Sequence, residues 1–196
     1  MADIKSASEI AREKLAGFGE ANEEERLRWQ YIPQGEKLAA RYLDKKLDFT
    51  AELAKYEAKA KKYVLAGAEK VLITNIALPK NELIRNKNKK AIDALLQVKS
   101  DKQKVKEVID KIRHIFNHFN EQGKQQRQKA HESLKVQFSS RSQKAVEQQL
   151  GSVGGLEINV ENLPQFKEEW QRILAKMDEQ YIKLLGEYKQ ELKGID

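Results

Sequence analysis

Between Leu163 and Leu192 large apolar residues recur at Leu163, Phe166, Trp170, Ile173, Met177, Tyr181, Leu184, Tyr188 and Leu192. This mixed spacing of three and four is that of a helix with one apolar seam. Leu174, Ile182 and Leu185 widen the stripe, which predicts more than one partner helix. Asn162 is the expected N-cap, Pro164 suits the first turn, and Gly194 stands where a left-handed C-terminal residue is expected.

The same periodicity recurs upstream. Ser6 and Glu9 have capping-box spacing and predict a first helix over about 7–17. A second start is expected near Asn22, where Glu23, Glu24 and Glu25 favour the positive end of a helix dipole. Pro33 and Gly35 read as punctuation. From Glu36 to Leu78 one broad face carries Leu38, Tyr42, Phe49, Leu53, Tyr56, Ala60, Tyr63, Val71 and Ile76, with Asp48 as a fresh cap. Ala66-Gly67-Ala68 is a small-residue patch that another helix can approach closely. Pro79 closes the segment.

A further helix is predicted over about 81–98, with Leu83, Ile84, Ala91, Leu95 and Val98 apolar, and a restart at Ser100 with Gln103. Val105, Val108, Ile112, Ile115, Phe116 and Phe119 then form a clean seam. It vanishes from Asn120 to Lys129, which reads as a hairpin turn at Gly123 or as a polar helical spacer. A turn is expected, because glycine inside a helix costs about 1 kcal/mol. Apolar spacing returns with Ala130, Leu134, Phe138, Ala145 and Leu150, where Ser140 and Gln143 offer a further restart. Gly151–Gly155 reads as a loop, and Leu156–Val160 alternates as an extended connector would.

These elements predict an all-α fold with little or no β: an elongated antiparallel bundle or coiled-coil hairpin of three to four long helices. Residues 1–35 are expected to hold short helices and a linker, and residues 36–196 one helical folding unit. Composition agrees, with 34% charged residues, only 10 Gly and 3 Pro among 196. The absence of cysteine excludes disulfides, thiolate metal sites and cysteine nucleophiles. No apolar export signal or membrane-length run is visible, so a cytoplasmic protein is expected.

Charge changes the picture in one place. The net charge is +7, and residues 80–135 alone carry 15 basic against 7 acidic side chains. Lys80, Arg85, Lys87, Lys89, Lys90, Lys102, Lys106 and Arg113 are the candidate phosphate-binding residues, since lysine and arginine along helices attract nucleic acid through its backbone. Phe116 and Phe119 are the segment's only aromatics and belong to the seam, which leaves no platform for base stacking.

His114 and His118 stand four apart on one helical face, a spacing that can hold a metal. Without a third ligand or the glutamate of a zinc-protease motif, they read as histidines beside a helix interface. The glycine-rich loop lacks the Gly-Lys-Ser/Thr ending of a phosphate cradle, and no nucleophile–base set is apparent. No cofactor is expected.

The charged pattern from Glu168-Glu169-Trp170-Gln171 to Lys189-Gln190-Glu191-Leu192 resembles the closing helix of ribosome recycling factors. The similarity is confined to that helix. The small β domain of that family has no counterpart here, so no function is carried across.

The leading expectation is a non-enzymatic interaction or scaffold protein that binds protein partners or itself through helical seams. An RNA- or ribosome-associated factor using residues 80–113 is the alternative. A chaperone- or stator-like oligomer subunit comes third.

Overall fold

A computed structural model describes residues 22–45, 47–150 and 159–195, leaving aside the side chains of residues 149 and 150. The helix expected over 7–17 and the glycine-rich loop at 151–155 lie outside these residues, as does most of the connector at 156–160. The described chain is helical, with no strand. In order it runs α1 (Glu23–Asp44), α2 (Phe49–Leu53), α3 (Ala58–Asn75), α4 (Glu82–Val98), α5 (Lys102–Asn120), α6 (Gln122–Leu150), a 3₁₀ turn (Val160–Asn162) and α7 (Pro164–Lys193). There are thus more helices than the three to four expected. The chain divides into two compact units, Met1–Leu72 and Ile73–Asp196.

In the first unit, Asn22 starts α1 with a full capping box. Its side-chain oxygen accepts from the Glu25 N–H at 2.8 Å, and its own N–H donates to the Glu25 carboxylate at 3.1 Å. The helix runs through Pro33 and Gly35, where a break was expected. Pro33 lies on the exposed face, as does Trp29, whose carbonyl loses its donor to the proline, and the Gln34 side chain donates to the Gln30 carbonyl at 3.1 Å.

Gly35 is not punctuation but a contact. It faces α3 so closely that a Cβ there would lie 1.9 Å from the Val64 carbonyl oxygen, and a Cβ on Gly67 would lie 2.1 Å from that of Ile32. The small patch at 66–68 is therefore a close crossing, as the sequence indicates. Around it are buried Leu38, Ala39, Val64 and Ala68. Asp48 caps α2, accepting from the Ala51 N–H at 3.0 Å, and Tyr42 meets Phe49 with ring centroids 5.1 Å apart.

In the second unit, α7 lies antiparallel along α5 and then α6. Lys111 pairs with Glu191 at 3.0 Å, Phe119 stands edge-on to Tyr181, His131 to Trp170 and Phe138 to Phe166. As the number rises from 111 to 138 on one side, it falls from 191 to 166 on the other. The chain therefore does not turn back at Gly123, contrary to expectation. Only Glu121 separates α5 from α6, and the hydrogen bonds Glu121 N–H to Asn117 O (2.9 Å) and Gln125 N–H to Glu121 O (3.2 Å) bridge the joint. Gly123 is buried within α6, where a Cβ would stand 3.1 Å from the Tyr181 hydroxyl. The crossing of Tyr181, not a turn, calls for glycine.

The buried stripe of α5 is Val105, Val108, Ile109, Ile112, Ile115 and Phe119, while Phe116 is half-buried. On α4 the buried positions are Asn88, Ala91, Ile92, Ala94 and Leu95, and Leu83 is exposed. A second cluster joins Leu134, Val160 and Phe166, flanked by half-buried Phe138, Leu163, Trp170 and Ile173.

Several expected ends move by a residue or so. α5 is capped by Asp101, not Ser100. α7 starts behind Leu163 without a side-chain cap, because Asn162 belongs to the 3₁₀ turn. Gly194 has φ −83°, so it is not left-handed. Ser140 interrupts nothing, as α6 continues through it.

Two outcomes test this packing. Gly35→Ala drives a methyl into the α3 backbone and is expected to cost about 3 kcal/mol or more, whereas Gly186→Ala meets nothing within 4 Å and should stabilise by about 0.5–1 kcal/mol. Leu185→Ala should cost about 2–5 kcal/mol. Leu184, expected in the seam but 42% exposed, should cost far less on the same change. Urea denaturation of the four variants reads both comparisons.

Candidate functional site

Part of the basic middle of the chain serves the fold, while most of its lysines and arginines stay exposed. A helix end leaves carbonyls without intrahelical donors, and in the second unit lysines from elsewhere supply them. Lys102 Nζ donates to Leu96 O at 2.7 Å and Gln97 O at 2.6 Å, closing α4. Lys99 is buried and donates to Ile195 O. Lys189 reaches Thr74 O and Ile76 O, each at 2.8 Å, at the end of α3. Asn88, also buried, grips Ala77 by both backbone groups, accepting from its N–H at 2.9 Å and donating to its oxygen at 2.6 Å.

The eight candidate phosphate-binding residues therefore separate. Lys80 pairs with Asp178 at 2.6 Å, Lys102 caps α4, and Arg113 pairs with Asp110 at 3.2 Å on its own helix. Lys87 and Lys90 are half-buried and make contacts of their own. Arg85, Lys89 and Lys106 are exposed and form no ion pair with a described residue. Of the eight, Lys80 and Arg85 line one cleft.

The two histidines have different surroundings. His114 is exposed, while His118 Nδ1 lies 2.8 Å from the Tyr181 hydroxyl. Among the described residues no group of three metal-ligating side chains comes together. No described helix is long and apolar enough to cross a membrane.

What does come together is a cleft of about 620 Å³ where the start of α4, the α5–α6 joint and α7 meet. Pro79, Phe119 and Leu174 give it an apolar floor, and Lys80, Arg85, Lys124 and Arg127 line it with charge. The Arg127 guanidinium lies 4.1 Å over the Phe119 ring and donates to the Phe119 carbonyl at 3.0 Å, so its orientation is fixed. Asp178 is the single carboxylate in the lining and is only 4% exposed. Its Oδ2 meets Lys80, and its Oδ1 is buried without a hydrogen-bond partner among the described residues.

Sequence reasoning named Lys80 and Arg85 but missed Asp178, Lys124 and Arg127. One signal was present. Asp178 sits four residues after Leu174 and seven before Leu185, so it occupies the apolar stripe of α7. An acid in such a stripe needs a partner across the interface.

Residues 50–194 match the model of a family described as a family of unknown function (DUF6657). The chain belongs to that family. The match takes in the whole second-unit cleft, from Pro79 to Asp178, together with the lysine contacts at the ends of α3 and α4. No curated protein and no solved structure matches the chain.

Lys189 offers a pH-resolved test of these contacts. Burial, with Lys193 beside it, holds its ammonium below the ordinary lysine range. The folded state therefore sheds this proton more readily than the unfolded chain. Its charging penalty is fully present below the lowered folded value and is relieved as pH rises towards the ordinary lysine value. Lys189→Met is expected to cost about 1–2 kcal/mol at neutral pH through the two carbonyls it abandons. It should also remove this alkaline gain, read as the difference between wild-type and variant urea midpoints at neutral and alkaline pH.

Proposed function

We propose that the protein is a non-enzymatic helical interaction protein that associates with a second copy of itself along α6 and α7. The observation that carries this reading is the incomplete cover over the cluster Leu134–Val160–Phe166. Phe138, Leu163, Trp170 and Ile173 pack around it and remain half-buried. Two helices and a 3₁₀ turn supply all the packing described there, and a seam of aromatics on two helices favours a further helical partner.

Charge favours a second copy as that partner. Beside Phe138 and Ile173 the surface carries Arg141 and Arg172 against Glu168 and Glu169. A patch with both signs offers each charge an opposite partner on a second copy. In this reading α7 and the α5–α6 run form an antiparallel coiled-coil hairpin, and an oligomer subunit of the stator or chaperone kind is a special case of it. A cytoplasmic setting fits a chain without cysteine.

The alternative, an RNA- or ribosome-associated factor, draws on Arg85, Lys89 and Lys106, the exposed members of the basic segment without an ion pair to a described residue. Binding to single-stranded RNA through these three would show a log–log salt slope of about −2, at about −0.7 per phosphate.

Sedimentation equilibrium of the full chain decides between the readings. A dimer at tens of micromolar is expected, weakened about tenfold by the paired reversal Arg141→Glu and Arg172→Glu, which makes the patch uniformly acidic. Both side chains are exposed, so the melting temperature should hardly move. A monomer at every concentration rejects self-association. A salt-sensitive RNA complex of that monomer would favour the alternative.

A further inference from the structure

We propose that the cleft around Asp178 is a binding site for a small phosphate ester that also carries a hydroxyl or amino group. Arg85, Lys124 and Arg127 would take the phosphate, and Asp178 Oδ1 the donor. Three observations lead there. The cleft, at about 620 Å³, is of the size that holds a small molecule. Four cations line it against one carboxylate, and that carboxylate is already engaged by Lys80. Arg85 and Lys124 form no ion pair with a described residue. Arg127 uses one of its N–H groups on the Phe119 carbonyl and keeps others in its planar fork.

The buried carboxylate sets the second half of the ligand. A phosphate alone would answer the cations but would bring like charge towards Asp178. Oδ1 is a buried acceptor and calls for a hydrogen-bond donor. A molecule with an oxyanion at one end and a hydroxyl or amine near it meets both demands. Phe119 and Leu174 would cover the carbon frame between.

Calorimetric titration of the full chain tests this with ribose 5-phosphate, glycerol 3-phosphate, inorganic phosphate and ribose at low ionic strength. The two esters should bind at one saturable site, inorganic phosphate about tenfold more weakly, and ribose not at all, since one hydrogen bond to a charged group is worth about tenfold or more. Arg85→Gln and Lys124→Gln change exposed side chains, so each should weaken ester binding about tenfold at an unchanged melting temperature. Asp178→Asn should abolish the preference for ester over inorganic phosphate. If that variant does not fold, the Arg85 and Lys124 variants carry the test. Absence of ester binding at millimolar concentration overturns the proposal, as does binding indifferent to both cation variants. Equal affinity for ester and inorganic phosphate removes Asp178 from it. RNA binding without any response to the small esters would replace the site with a polyanion surface.

Discussion

A helix that ends inside a protein must find donors for its last carbonyls, and in residues 73–196 most other features follow from how that is done. The connectors between α3, α4 and α5 are short. They are held by Lys189 on the end of α3, Asn88 on Ala77 and Lys102 on the end of α4, while the buried cap residue Lys99 ties the end of α4 to Ile195. Each contact joins segments far apart in sequence or fixes a corner, so the corners and the long helices stabilise one another. A hydrogen bond from an ammonium is worth about 1.5–3 kcal/mol where water is excluded. Such contacts set where α7 can lie, because Lys189 grips the end of α3 and Ile195, just beyond α7, receives Lys99.

Once α7 is anchored at that end, its register is fixed along α5 and α6. Lys111 with Glu191, Phe119 with Tyr181 and His131 with Trp170 are successive steps of one antiparallel alignment. The break at Glu121 lies where Tyr181 crosses, and the small volume of Gly123 admits its hydroxyl. Turning the chain back at Gly123 would deprive Leu134 and Phe138 of the Phe166 end of α7. The polar stretch 120–129 remains helical because continuing the rod buries more apolar surface beyond it than a turn would.

Periodicity was legible wherever one face is buried against a neighbour, as in Val105–Phe119, and where small residues leave room, as at Gly67. It misled where the buried position is polar or the apolar one is exposed. Leu83 and Leu184 fit a three-four rhythm yet face solvent. Asn88 and Asp178 break the rhythm yet are buried, because each answers a specific group, the Ala77 backbone or Lys80. The run of lysines carries no such guide, since Lys99 is buried while Lys80, Arg85, Lys89, Lys102 and Lys106 are exposed. Composition reports that ammonium groups are present, whereas only contacts with distant carbonyls show which of them face inward. Lys80 could be read as cationic, but its carboxylate lies 98 positions on, beyond any local pattern.

The Lys80–Asp178 pair cannot be explained by stability alone. Removing a carboxylate from water costs several kcal/mol, and a well-packed apolar pair of similar volume is often as stable or more so. Position 178 has apolar stripe partners on both sides, Leu174 and Leu185, so a leucine there would continue the seam. Instead the stripe carries an acid with one oxygen paired and the other without a hydrogen-bond partner among the described residues, beside a guanidinium held flat on Phe119. The lysines that close helix ends have carbonyls to satisfy, and their presence follows from the fold. Asp178 bonds no backbone group among the described residues. Asp178 lines the same cleft as Arg85, Lys124 and Arg127, which form no ion pair with a described residue, and a ligand with both an anion and a donor is what that arrangement of charges is suited to receive.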